Sequence, residues 1–128
     1  MKATKSQIKA IGRLKRRSDF LAVQAQQKKW VAKTMVIQAG SNMLDQVRFG
    51  ITITKRTASS AVLRNRIRRR LRSVALDVLP DLGLPSGTDI VLIGRIEAAE
   101  ASYEALSRDL SWCLCRLGLS TSAEEPQR

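Results

Sequence analysis

The chain has 128 residues, enough for one ordinary domain, and its 44% hydrophobic content excludes a disordered basic tail. Twenty-three Lys and Arg residues stand against eleven Asp and Glu, so the net charge is +12 and a polyanion is the first partner to consider. The sequence contains no histidine, which removes the commonest general base and the commonest zinc ligand.

The charge is divided sharply along the chain. Residues 1–72 hold 19 basic and two acidic residues, a net charge of +17, whereas residues 73–128 hold four basic and nine acidic residues, a net charge of −5. This division predicts a binding half and a supporting half. No apolar run approaches the ~20 residues that span a bilayer, and the N-terminus lacks the apolar stretch of a signal peptide. We therefore expect a cytoplasmic protein in which Cys113 and Cys115 are free thiols.

The N-terminal half predicts a loose segment, a helix and strands. Residues 1–12 are polar and basic and are expected to be flexible. Ser18 is a candidate N-cap for a short helix. Residues 30–38 have the composition of one strand, and a further short strand is expected near 41–44. Residues 46–54 alternate apolar and polar side chains, which predicts a strand with one face in the core.

The C-terminal half predicts two helices and one strand. Residues 61–79 form the clearest helix, preceded by two serines that can cap it and followed by a proline. Residues 88–94 include a continuous apolar run that is typical of a strand covered on both faces. A final helix is expected over 102–117, with Gly118 as its stop. The buried stripe of the first of these helices is predicted to comprise Leu63, Ile67, Leu71, Val74 and Val78.

These elements predict a single α+β domain. Helix, strand, strand, helix, strand and helix follow one another, which suits a sandwich of helices on a sheet. Helices are expected to cover one face of the sheet and to leave the other partly open. The domain is expected to occupy residues 13–118, with 119–128 as a C-terminal tail.

The densest chemical feature is a run of arginines. Residues 55–72 contain eight basic residues and no acidic one. On a helix, Arg64, Arg68 and Arg72 are spaced by four and align on one face, where like charges repel. With no carboxylate nearby, the expected counter-charge is an external polyanion. Arginine binds phosphate bidentately and stacks on bases, so the run indicates a nucleic acid. DNA in a major groove stays open, although no helix-turn-helix pair or zinc finger indicates it.

The arginine run resembles the signature of the bacterial ribonuclease P protein subunit. That family reads Ala-Val-x-Arg-Asn-Arg, then a hydrophobic residue, basic residues and a later arginine, and residues 61–72 here read AVLRNRIRRRLR. Segments 13–23, 47–56 and 89–95 resemble the family's N-terminal segment, central strand and late strand. The similarity spans residues 13–117, which is most of the domain.

The resemblance implies a fold and a function. The fold is a ribosomal protein S5 domain 2-like α-β sandwich, in which the arginine helix lies in a left-handed βαβ crossover. The function is that of the protein subunit of a ribonucleoprotein endoribonuclease that removes the 5′ leader from precursor tRNA. The RNA subunit and Mg²⁺ carry the chemistry. The resemblance therefore implies no catalytic residue and no metal site in the protein, since the Mg²⁺ is held mainly by the RNA.

The family's motifs assign candidate site residues by position. Phe20 matches an aromatic residue of the cleft that holds the single-stranded leader. Lys55 and Arg56 match a basic pair at the end of the central strand, and Arg13 and Lys15 are candidates for a basic rim of the cleft. The residues that match the RNA-binding motif are Arg64, Asn65, Arg66, Arg68, Arg69 and Arg72.

Two other functions stay open on the residues alone. A generic RNA-binding or ribosomal protein of the same fold would explain the charge and the sandwich, but not the Arg-Asn-Arg register. A stand-alone protein nuclease is disfavoured because the chain offers no histidine and no clear carboxylate cluster. The expected partners are the catalytic RNA subunit and the 5′ leader of precursor tRNA, with no DNA and no membrane.

Overall fold

The computed structural model describes residues 11–120, so most of the predicted flexible N-terminus and C-terminal tail lies outside the described residues. Short 3-10 helices follow α2 and β5, at Leu79–Asp81 and Ile96–Ala99. The main elements are β1 (Gly12–Arg13), α1 (Arg17–Ala25), β2 (Lys28–Val31), β3 (Met35–Ser41), β4 (Arg48–Thr52), α2 (Ala61–Val78), β5 (Thr88–Gly94) and α3 (Tyr103–Arg116).

The five strands form one mixed sheet in the order β1-β4-β5-β3-β2. Strands β1, β4 and β5 are parallel, whereas β3 pairs antiparallel with both β5 and β2. Because β4 and β5 are adjacent and parallel, α2 is the crossover helix of a βαβ unit. The predicted single-domain α+β sandwich is therefore confirmed.

Helices lie on both faces of this sheet. Helices α2 and α3 cover the main core, in which Phe49 and Leu92 are buried. Helix α1 packs on the opposite face through Val23, in a smaller cluster with Leu14 and Val91. The expectation that helices cover only one face was wrong, because β5 presents apolar side chains on both faces and each needs a cover.

The strand predicted over residues 30–38 is a hairpin of β2 and β3. The intervening turn is held by Asp109 of α3, whose Oδ2 accepts hydrogen bonds from the N–H and Oγ1 of Thr34 at 3.1 and 2.6 Å. The turn contains no Gly, Pro or Asn, so none of its residues predicts a turn. The strand predicted near 41–44 was also wrong, because Ser41 ends β3 and residues 42–46 form no strand.

Two of the three α-helices have an N-cap side chain that accepts a hydrogen bond from the first turn. Ser60 and Ser102 each accept a hydrogen bond from the N–H three residues on, at 3.3 and 3.1 Å, and Ser60 is one of the two serines predicted to cap α2. Helix α3 ends at Arg116, and the predicted stop Gly118, with a φ of +81°, follows two residues later. The prediction for α1 was wrong: its N-cap is Arg16, whose side chain caps nothing, and Ser18 lies within the first turn.

Candidate nucleic-acid interface

A cleft opens between the N-terminal segment, strand β4 and helix α2. It encloses about 140 Å³. The half-buried ring of Phe20 lies against Gly50, because a Cβ built on that glycine would be 2.5 Å from the Cζ of the ring. The lining residues are Arg13, Leu14, Phe20, Phe49, Gly50, Ile51, Arg68 and Arg72.

The walls of this cleft are cationic and aromatic. Arg13 comes from the N-terminal segment and Arg68 and Arg72 from α2, and none of the described residues that line the cleft is acidic. The guanidinium carbon of Arg13 lies 5.9 Å from the centroid of the Phe49 ring. Aromatic faces beside cations suit a single-stranded nucleic acid, whose bases stack and whose phosphates pair with arginine.

Four motif residues of α2 remain accessible: Arg68 lines the cleft and is half-buried, and Asn65, Arg66 and Arg69 are exposed. Arg69 is exposed and makes no hydrogen bond or ion pair within residues 11–120. Arg66 is 3.7 Å from Glu100, but both side chains are exposed, so water screens this pair. Arg68 donates to the Oδ1 of Asn65 at 2.9 Å. These side chains form an accessible polar row.

Two arginines of α2 are used inside the fold. Nη1 of Arg64 donates to the carbonyls of Ala58 and Ser59, at 2.7 and 2.8 Å, and so fixes the loop that precedes the helix. Arg70, which the motif did not single out, donates to the carbonyl of Ala98 at 3.0 Å and to that of Ala101. The run of arginines therefore serves both the surface and the framework.

The other predicted site residues lie around the cleft rather than in it. Lys55 and Arg56 are exposed in the turn that follows β4, and neither lines the cleft. Lys15 lines an adjoining recess of about 420 Å³, which it shares with Arg13 and Arg16. The structure thus brings Arg13, Phe20 and the two cleft arginines together and places the basic pair on a neighbouring turn.

An ion-pair network that sequence analysis missed anchors α1 beside the cleft. Arg48 forms two hydrogen bonds with the buried carboxylate of Asp89, at 2.9 and 2.7 Å, and its Nη1 is 3.7 Å from Asp19. The hydrogen bond to Asp89 raises the pKa of Arg48 above its usual value, with the charge of Asp19 adding to it. Since Asp19 precedes Phe20, this network helps to fix the helix that carries the aromatic wall. The sequence signal that could have revealed this network was Asp89, a buried acid in the apolar strand β5.

The surroundings of the cysteines and the carboxylates indicate structural roles for these side chains. Cys113 and Cys115 are free thiols, and burial raises the pKa of Cys113 to about 12. Within residues 11–120, no group of three or more His, Cys, Asp or Glu side chains is placed to hold a metal ion. No helix in this part of the chain is long and apolar enough to cross a membrane.

Comparison with known proteins identifies the family. A family model described as Ribonuclease P matches residues 8–118. The chain belongs to the ribonuclease P protein family. Two relatives are each named ribonuclease P protein component. The one from Paramagnetospirillum magneticum is 42% identical to this chain, and the one from Ruegeria pomeroyi is 41% identical to it. The first match covers 84% of each chain, and the second covers 81% of this chain and 84% of the relative.

Solved ribonuclease P proteins share the fold. The Staphylococcus aureus protein superposes with a TM-score of 0.69 at 24% identity, over 85% of this chain and 97% of that one. The Thermotoga maritima protein superposes with a TM-score of 0.64 at 25% identity, over 77% and 90% of the two chains. As a family member, this chain is the protein subunit of ribonuclease P, an endonuclease that processes tRNA, and the resemblance read from its motifs is confirmed.

Proposed function

We propose that this ribonuclease P protein holds the 5′ leader of precursor tRNA in the cleft while α2 binds the catalytic RNA subunit. The observation that carries the proposal is the acid-free cleft that Phe20 lines together with Arg13 and two arginines of α2. A base stacked on Phe20 would leave its phosphates within reach of these cations. Such a site accepts a single strand without reading its sequence.

The contact with the RNA subunit is assigned to the accessible row of α2. Arg69 is exposed and without an internal partner in the described part of the chain, and Arg66 has only a screened one. Lys55 and Arg56 lie at the turn between this helix and the cleft strand, where they can meet the leader as it leaves the cleft. Arg64 acts in this assignment through the loop that it fixes.

The protein's share of the reaction is binding and positioning. Its arginines neutralise phosphates and bring the leader and the RNA subunit together, which lowers the repulsion between two polyanions. Hydrolysis of the phosphodiester is assigned to the RNA subunit with its Mg²⁺ ions, and no residue of this chain is given a catalytic role. The reaction is placed in the cytoplasm, where precursor tRNA is made.

Reconstitution tests this function. The protein, mixed with a bacterial ribonuclease P RNA at low Mg²⁺, should restore cleavage of precursor tRNA, whereas the protein alone should cleave nothing. Replacing both Arg68 and Arg72 by Ala should lower the slope of log affinity against log salt by about 0.7–0.9 for each lost phosphate contact. A double Lys29→Ala, Lys33→Ala variant removes the same charge elsewhere and should change the slope less.

Three results would contradict the proposal. Cleavage of precursor tRNA by the RNA-free protein would overturn the division of labour between protein and RNA. An equal salt slope in wild type and in the Arg68→Ala, Arg72→Ala variant would show that these arginines make no phosphate contact. Failure of the protein to stimulate any ribonuclease P RNA, with RNA binding intact, would favour a generic RNA-binding role instead.

A further inference from the structure

The guanidinium of one arginine lies over the rings of two tryptophans, near the edge of the sheet opposite to the cleft. The guanidinium carbon of Arg116 lies 4.7 Å from the ring centroid of Trp30 and 5.6 Å from that of Trp112. Trp30 belongs to β2, and the other two residues are one turn apart on α3. We call these three residues the tryptophan clamp.

The clamp leaves the hydrogen-bonding edge of Arg116 available. The residue is exposed and forms no ion pair or hydrogen bond with any other residue of the described range 11–120. Cation–π contact with two rings restrains the guanidinium, and its N–H donors have no acceptor among residues 11–120. A pre-oriented arginine of this kind is suited to bidentate binding of a phosphate.

The stability of α3 alone does not explain this arrangement. A cation in the last turn of a helix interacts favourably with the C-terminal carbonyls, and Arg116 does occupy that position. That interaction requires a positive charge near the helix end, but it does not require a planar group between two indoles. Cation–π contact with the rings adds to that stabilisation, and a guanidinium held in this way also presents its shape as well as its charge to a ligand.

The surroundings of the clamp favour an anion. Lys28 is exposed and lies two residues before Trp30, on the same face of the edge strand β2. Asp109, an acid of α3, is buried and its Oδ2 is occupied by Thr34. Glu104, in the first turn of α3, lies about 18 Å along the helix from Arg116 at 1.5 Å per residue. Glu97, Glu100 and Asp109 line a cavity with Trp112, Lys33 and Arg108, so the cationic side of the clamp is the one beside Lys28.

We propose that the tryptophan clamp is a second RNA contact, in which Arg116 and Lys28 bind backbone phosphates. Strand β2 forms the edge of the sheet opposite to β1, which borders the leader cleft. An RNA phosphate here would be held independently of the arginine motif. The inference rests on the proposed RNA-binding function, and the RNA subunit and precursor tRNA are the two sources of such a phosphate.

Salt-dependent binding tests the proposal with a matched control. Arg116→Gln and Lys28→Ala should each lower the log–log salt slope by about 0.7–0.9, measured separately with the RNA subunit alone and with precursor tRNA alone. The RNA with which the slope falls, the RNA subunit or precursor tRNA, is the source of the phosphate. Lys29→Ala removes the same charge from the neighbouring residue on the opposite face of β2, so the slope should not change.

Tryptophan emission gives a second readout that is specific to the clamp, because the chain contains only two tryptophans and both belong to it. The emission of the wild-type protein should change as RNA saturates it, and the change should be retained in the Arg68→Ala, Arg72→Ala variant once RNA is raised to saturation. The change should shrink in Arg116→Gln. If that variant fails to fold, the comparison of Lys28→Ala with Lys29→Ala still decides, since both lysines are exposed.

Three outcomes overturn the inference. If wild-type protein binds RNA with unchanged emission, and both clamp variants keep the wild-type slope, the clamp makes no RNA contact while the proposed function stands. If the wild-type protein binds neither RNA, the proposed function and the clamp fail together. A fall in slope for Lys29→Ala equal to that for Lys28→Ala also rejects the clamp, because the effect is then one of general charge.

Discussion

The ring of Phe20 lies directly against the backbone of Gly50. A Cβ built on this glycine would be 2.5 Å from Cζ and 2.6 Å from Cε1 of the ring, closer than side chains approach one another. The glycine thus allows an aromatic ring from α1 to rest on the strand that forms the floor of the cleft. One wall of the cleft therefore depends on the absence of a methyl group at Gly50.

Replacing Gly50 by Ala should displace the Phe20 ring. We expect the free energy of unfolding to fall by about 1–3 kcal/mol, the usual cost of an extra methyl group in a packed site. Urea denaturation measures it. In a Phe20→Ala background the same substitution should cost less, because the ring is gone and the nearest remaining atom is Leu14 Cβ at 3.1 Å. Equal costs in both backgrounds would show that the ring does not limit this position.

Removing the ring alone should affect the leader and spare the mature tRNA. Phe20→Ala should weaken binding of a leader-bearing substrate by about 1–3 kcal/mol, the range for one stacked base. The reconstituted enzyme should bind mature tRNA as before. Leu21→Ala, at the next position of α1 with 48% of its side chain exposed, is the matched control. Equal losses on both RNAs would reject Phe20 as a leader platform.

Alanine substitutions of the adjacent residues Arg69 and Arg70 of α2 should affect different properties, RNA binding for the first and stability for the second. Arg70→Ala removes two hydrogen bonds to carbonyls after β5 and should lower the free energy of unfolding by about 1–3 kcal/mol. Arg69→Ala should leave stability within about 0.5 kcal/mol, because the side chain is exposed, but it should weaken RNA binding. Urea denaturation and RNA titration on the same two variants separate the roles. A stability loss at Arg69 equal to that at Arg70 would contradict the assignment.

Cys113 should be inert in the folded protein. Its raised pKa of about 12, against 9.0 for a free thiol, means that the folded state keeps the proton that the unfolded state loses. This contribution to stability is fully present below pH 9 and is lost as pH rises toward 12. Alkylation at pH 8 should therefore modify Cys113 only after denaturant is added, which mass spectrometry of a Cys115→Ser variant can show. Rapid modification of the native variant would contradict the burial of this thiol.

The parts of the fold that local chemistry determines were predicted from the sequence. The period of α2, its serine cap and the apolar run of β5 each depend on near neighbours in the chain. The β2–β3 turn was missed because the residue that fixes it, Asp109, lies 75 residues away from Thr34. Strand β1 has only two residues and exists through its pairing with β4. Such elements are set by tertiary contacts.

The arginine motif located the candidate site, but it did not assign the work of each side chain. Helical spacing places Arg64, Arg68 and Arg72 on one face, yet Arg64 alone reaches back to the carbonyls of Ala58 and Ser59. That difference depends on how the preceding loop approaches the helix. Spacing within one helix carries no information about such a neighbour, so a structure was needed to separate framework arginines from accessible ones.

The hydrogen bonds from Arg64 to the loop before α2 have a consequence for distances within the ribonucleoprotein. They hold the residues that join the turn of Lys55 and Arg56 to the first turn of the helix, which restricts how far these two basic groups can move relative to the rest of the motif. A subunit that grips the catalytic RNA by α2 would then act as a rigid spacer. The distance from RNA to leader would be set by this short loop, and an inserted residue there would shift the leader relative to the cleavage centre.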